Sequence, residues 1–181
     1  MSKYYTAKGD EGLSYMGCAI ASKDSALIIG IGDIDELNSF IGLVIVDIAD
    51  ELMKNRLINI QNKLFIIGAE LGGIINSAYT PKHIITDKEL KELELIIDEY
   101  SNKVGMLKKF VLPGGTEGAA KLQYARAISR RAERSIVKIS KENQNMNKII
   151  LKYMNRLSTL LFVMALYINK KENYEEINPS Y

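Results

Sequence analysis

The sequence predicts an all-α fold, a five-helix up-and-down bundle. Three observations lead there. Apolar residues recur at intervals of three and four through five long segments, glycine and proline gather in the breaks between them, and no segment alternates at the two-residue period of a strand. With 181 residues, 47% of them hydrophobic, the chain can bury one core and is too short to divide comfortably into two. We therefore expect a single domain over 1–181, with a turn-rich loop at 1–25, a bundle over 26–170 and a frayed tail at 171–181.

The first helix is expected over 26–48, where Ile34, Leu37, Ile41, Ile45 and Ile48 repeat at helical spacing, although Gly30 and Gly32 weaken its first turn. A second follows over 51–75 on Leu57, Ile60, Leu64, Ile67 and Leu71, and "NSAYTPKHI" breaks it. Thr86 and Glu89 have the S/T-x-x-E spacing of a capping box, which opens a third helix running to about residue 100. After the turn "LPGGTEG", Thr116 is the N-cap of a fourth helix over 117–142, with Glu117 at its positive end. "NQNMN" ends that helix, and a fifth occupies 148–169.

Composition narrows the function classes. The net charge of +2 offers no global field for nucleic acid. Cys18 is the only cysteine, so no intrachain disulfide forms, and we read it as a packing residue. The start lacks the apolar run of a signal peptide, and no uncharged stretch of about 18 residues could span a bilayer, so a cytoplasmic location with no membrane partner is expected. The single histidine, His83, leaves little for zinc and excludes paired Glu-x-x-His ligands. No protein metal site is expected.

The arginines are distributed unevenly. The chain has six against eighteen lysines, and four of the six fall between Arg126 and Arg134. Ala125, Ile128, Ala132, Ile136 and Ile139 form the apolar stripe of that helix. Arg126, Arg130 and Arg134, spaced i, i+4, i+8, share the opposite side with Arg131, and Glu133 can pair with Arg130. A solvated face is the usual reason for such a run. Here the departure from lysine, and Arg156 in the next helix, favour a polyphosphate site, because a guanidinium fork suits phosphate or carboxylate oxygens where an ammonium acts as a point charge.

"TAKGDEGLS" is a second candidate. Gly9 and Gly12 permit close backbone approach to an anion and positive φ, Thr6 and Ser14 supply hydroxyls, Lys8 and Lys23 charge, and Asp10 a carboxylate. It is not a Walker A loop, and "GIGDID" is not a dinucleotide fingerprint because no strand precedes it. By spacing alone, a plain turn is an equal reading.

"TAKGDEGLS", "GDIDELNSFIG", "IQNKLFIIGAEL", "KFVLPGGTEGAAKLQYARAISRRAER" and "YMNRLSTLLFVMALYIN" occur in that order and together resemble the PduO-type ATP:cob(I)alamin adenosyltransferases over about residues 3–170. The resemblance implies a trimer-forming five-helix bundle with active sites between subunits. It also implies that cobalt(I) of a reduced cobalamin attacks the 5′ carbon of ATP, giving adenosylcobalamin and triphosphate. Carried over residue by residue, it assigns ATP binding to Thr6, Gly9, Asp10, Gly12, Ser14, Lys23, Arg130, Glu133, Arg134 and Asn155. It pairs Asp35 with Arg126 across subunits in support of the reaction centre, beside Arg130, and sets Phe110 under the corrin. Phe162 and Val163 are further candidates for that apolar wall, with core packing the plainer role for Phe162.

Mg²⁺ is implied beside ATP, and a reductase and an adenosylcobalamin-dependent enzyme are implied as partners. Ala7, Ser25-Ala26-Leu27, Ile31 and Thr159 depart from the family pattern and bear on the start of the first helix and on how tightly ATP or corrinoid is held. A carrier that delivers adenosylcobalamin, or a catalytically inactive ATP-binding scaffold, are the alternative functions.

Overall fold

The computed structural model describes residues 4–181; the first three residues of the expected N-terminal loop lie outside it. Two short strands, β1 (Leu13–Met16) and β2 (Ala19–Ser22), precede five helices: α1 (Ala26–Asp47), α2 (Glu51–Ile75), α3 (Asp87–Val104), α4 (Glu117–Glu142) and α5 (Ile149–Lys171). The hairpin corrects the expectation of an irregular, strandless N-terminal segment. Its antiparallel register pairs Leu13 with Ser22 and Met16 with Ala19. The two-residue loop Gly17-Cys18 closes it, with Gly17 at φ 64°, the first loop position where a II′ hairpin turn takes glycine. Four-residue strands were too short for alternation to register. The Gly-X pair between "LSYM" and "AIAS" was the available signal.

All five helices start and stop near the expected positions because local chemistry sets their ends. Ser25 caps α1 by accepting from Ile28 N–H at 3.4 Å, so the departures at 25–27 leave that start intact. Asp50 caps α2 through Met53 N–H at 3.1 Å. The capping box at Thr86 and Glu89 is present in full, and Glu89 Oε2 accepts from Thr86 N–H at 2.9 Å. Thr116 is the N-cap of α4, but its hydroxyl makes no capping bond. Asn169 of α5 supplies an acceptor instead, taking the Thr116 backbone N–H on Oδ1 at 3.0 Å.

Packing places the helices laterally in the order α2-α1-α4-α5-α3. α1 and α2 are joined by three residues, and α4 and α5 by the short 143–148 loop, so each pair runs antiparallel. Leu37, Ile41, Leu57, Leu64, Leu122, Ile136 and Leu157 are wholly buried at the centre. In α1, Val44 takes the core position and Ile45 is only partly covered. By length and composition α5 could cross a membrane. Most of it is buried inside the bundle, which accounts for its apolar character.

The tail folds back along the connection between α3 and α4. Leu112 N–H donates to Ile177 O at 2.8 Å, Asn178 Nδ2 to Phe110 O at 2.8 Å and Tyr174 N–H to Asn169 O at 2.8 Å. On the 105–116 connection, Leu112 N–H and Phe110 C=O thus find their partners in the returning tail.

Candidate functional site

The apolar stripe of α4 is buried as its spacing requires: Ala125, Ile128, Ala132, Ile136 and Ile139 are covered, which turns the arginines outward. They then separate by partner. Arg131 leans onto α1, paired with Glu36 and, at 3.6 Å, with Asp33, whose other oxygen accepts from Ser135 at 2.5 Å. Arg156 reaches α3, donating to Glu94 at 3.1 Å, and also donates to Asn155 Oδ1 at 2.8 Å.

Asn155 in turn donates to Glu133 Oε1 at 3.0 Å. The expected ion pair between Arg130 and Glu133 is therefore absent. Glu133 turns toward α5 because Asn155 is fixed there by Arg156. Among the described residues, Arg130 and Arg134 are exposed and have no carboxylate or hydrogen-bonding partner. A relay from Glu94 through Arg156 and Asn155 thus orients Glu133 on the helix that also carries the two free guanidiniums. Arg156 had been read only as an extra cation. Its orienting role depends on α3, far away in the chain.

Arg126 occupies a different environment. It is half-buried, donates to Gln123 at 2.9 Å, and lies 6.0 Å from the centre of the Phe162 ring. Burial, and secondarily the charge of Arg130, lower its pKa. It borders a cleft of about 590 Å³ lined by Lys109, Phe110, Val111, Gln123, Arg126 and Phe162 among others. Phe110 is 80% exposed in this cleft, while its carbonyl is fixed by Asn178. Phe162 is partly covered and faces the cleft as well as the core, whereas Val163 is buried. Asp35 is exposed and makes no ion pair with Arg126 within the chain.

The N-terminal loop is closed on itself. Lys23 donates its ammonium to Gly9 O at 2.8 Å and its backbone N–H to Gly12 O at 2.9 Å. Gly12 has a positive φ of 77°, and Ala7 one of 57°, a conformation that strains an L residue by roughly 1–2 kcal/mol. Thr6, Asp10 and Gly12 are exposed and Gly9 and Ser14 partly so, leaving the loop accessible to a ligand. No hydrogen bond or ion pair joins residues 6–14 to α4 or α5 within the chain. The candidate residues therefore fall into two separate groups within the chain, the loop with Lys23 and the helix pair with Arg130, Arg134, Glu133 and Asn155.

Cys18, expected to pack, is exposed at the hairpin turn. A further cleft of about 610 Å³, between the end of α2 and the 143–147 loop, is lined by none of the residues singled out from the sequence. It contains Glu70, whose pKa burial raises against the N–H of Ile85 and the amide of Asn147.

Known proteins resemble this arrangement over the whole chain. The sequence pattern of the cobalamin adenosyltransferase family matches residues 4–168. A corrinoid adenosyltransferase from Bacillus subtilis (strain 168) is 36% identical, covering 97% of this chain and 91% of its own. A cobalamin adenosyltransferase from Cupriavidus metallidurans is 35% identical, with 94% and 90% coverage. Among solved structures, a Phe→Ala variant of a PduO-type ATP:corrinoid adenosyltransferase from Lactobacillus reuteri, complexed with cobalamin and ATP, superposes with a TM-score of 0.91 at 34% identity, over 99% of this chain and 100% of that one. An Arg→Lys variant of the same enzyme, complexed with ATP, gives 0.88 at 34% identity over 97% and 99%.

Proposed function

This chain belongs to the cobalamin adenosyltransferase family, and from that membership we propose that it transfers the 5′-deoxyadenosyl group of ATP to cob(I)alamin. Cobalt(I) donates an electron pair to the 5′ carbon. A cobalt–carbon bond forms, the carbon–oxygen bond to the phosphate tail breaks, and inorganic triphosphate leaves with its electrons. The nucleophile belongs to the substrate, so the protein needs no general base.

The observation that carries this reading is the pair of unpartnered guanidiniums. Arg131 and Arg156 are consumed by carboxylates, while Arg130 and Arg134 stand exposed on α4 with their forks free. Seated on the phosphate tail, such guanidiniums would stabilise charge as it builds on the leaving oxygen. Thr6, Gly9, Asp10, Gly12, Ser14 and Lys23 would wrap the nucleotide. The absence of bonds between that loop and α4 in one chain, and the unpaired Asp35, support a site completed by a neighbouring subunit in a homotrimer.

Phe110 and Phe162 supply an apolar wall, and Arg126 a cation, to a cleft of about 590 Å³. In this reading, that wall excludes water and the axial base from the lower face of cobalamin, which eases reduction of cobalt(II) by a partner reductase. The product would pass to an adenosylcobalamin-dependent enzyme, in the cytoplasm.

Among the described residues no three acidic, histidine or cysteine side chains converge. That fits Mg²⁺ held chiefly by phosphate oxygens and water, with Asp10, exposed and unpaired, or Glu133 as a protein carboxylate. Bound there, the ion would offset negative charge on the phosphate tail.

The test is to supply reduced cobalamin and ATP and follow the light-sensitive cobalt–carbon bond by its spectrum. Equimolar triphosphate should accompany it. No bond formed with ATP bound would leave an inactive scaffold, and release of preloaded adenosylcobalamin without turnover would leave a carrier.

A further inference from the structure

Asn76 opens the break "NSAYTPKHI" and belongs to no candidate site, and α2 carries none of the residues assigned to nucleotide or corrinoid. It is the C-cap of α2, its backbone N–H donating to Gly72 O at 3.0 Å. Its carboxamide faces the hairpin. Nδ2 donates to Met16 O at 3.0 Å, while Oδ1 accepts from Ala78 N–H at 3.2 Å and from the Cys18 thiol at 3.6 Å. Met16 and Cys18 flank Gly17, the turn residue.

The Met16 methyl rests on α2 at Gly72, where a Cβ would stand only 3.0 Å from it. Among the described residues, the hydrogen bonds from the hairpin to α2 all end on Asn76. The hairpin in turn connects the two parts of the loop group, residues 6–14 on one side and Lys23 on the other. Movement of the turn therefore displaces both together.

We propose that Asn76 is a positioning residue for the nucleotide loop: it locks the hairpin turn onto the end of α2 and so sets where residues 6–14 and Lys23 meet ATP. This rests on the ATP-dependent reading above. Preorganisation of this kind acts on nucleotide affinity, because a loop already in place is not ordered at the cost of binding energy. It leaves the corrinoid cleft and the arginines of α4 alone.

Asn76→Asp separates this role from helix capping. Aspartate keeps an acceptor for Ala78 N–H and for the Cys18 thiol, and the backbone cap to Gly72 is unaffected. It replaces the donor to Met16 with a carboxylate oxygen set against a carbonyl oxygen. In the full chain, titration calorimetry with ATP alone should show affinity weakened roughly tenfold, the upper range for one lost hydrogen bond. Steady-state assays should show the ATP KM rising in parallel, with kcat and the cobalamin KM within about twofold of the unmodified protein.

Asn76→Ala, which also spares the backbone cap, gives the same reading should the aspartate variant unfold. Unchanged ATP affinity in a folded variant, or a fall in kcat with KM constant, overturns the positioning role while the transferase reading stands. An unmodified chain that binds no ATP overturns both.

Discussion

Replacing Gly115 with alanine should destabilise the protein by about 3–5 kcal/mol, through one side chain at the other end of the sequence. Gly115 has φ 111°, outside the range an L residue adopts without strain, which costs roughly 1–2 kcal/mol. Its new Cβ would overlap Oδ1 and Nδ2 of Asn169, far inside van der Waals contact. Asn169 is fully buried and cannot yield without breaking bonds. It accepts from Thr116 N–H at 3.0 Å and donates to Gly114 O at 3.2 Å and Glu176 at 2.9 Å. Losing two such bonds away from water adds about 2–3 kcal/mol.

Equilibrium urea unfolding at fixed protein concentration measures the loss as a lower midpoint at unchanged slope. The melting temperature should fall by roughly 10 °C for a chain of this size. Asn169→Ala removes the obstacle, so the double variant should lose less than the sum of the two singles. A Gly115→Ala protein within about 1 kcal/mol of the parent would refute the reasoning.

Three further outcomes follow from the same geometry. Arg130→Lys should keep the fold and lose about 100-fold in kcat/KM, since a point charge does not reproduce the fork; near-normal turnover would remove the central claim of the functional reading. Phe110→Ala should leave ATP binding intact, because Phe110 lies 80% exposed in a separate cleft, and should lower the proportion of four-coordinate cobalt(II) seen in the spectrum; an unchanged spectrum would contradict its place under the corrin. Glu89 is held at about 2 by the Thr86 hydroxyl, and Glu99 at about 2 by Arg56 and Lys103. Both are depressed, so their stabilisation is present above the usual 4.5 and drains as pH falls toward 2. Glu89→Gln should flatten that acid limb in urea midpoints taken from pH 5 to pH 2, and an identical limb would argue that Glu89 gains nothing from its cap.

What the residues revealed by themselves was set by short-range chemistry. Helices are closed by bonds four residues apart, so periodicity and caps such as Thr86 with Glu89 sufficed to place all five, and spacing alone put Arg130 and Arg134 on the outer face of α4. The resemblance proposed which residues meet the nucleotide, but it could not say how one chain holds them. Only the tertiary structure did that: Glu133 turned to Asn155 and away from Arg130, Arg131 was drawn to α1, Asn76 anchored the hairpin, and the tail closed over residues 110–112. A charged or amide side chain on a helix has several partners within reach of its own turn. Which one it takes depends on how neighbouring helices are rotated against it, and that rotation is settled by the packing of the whole core.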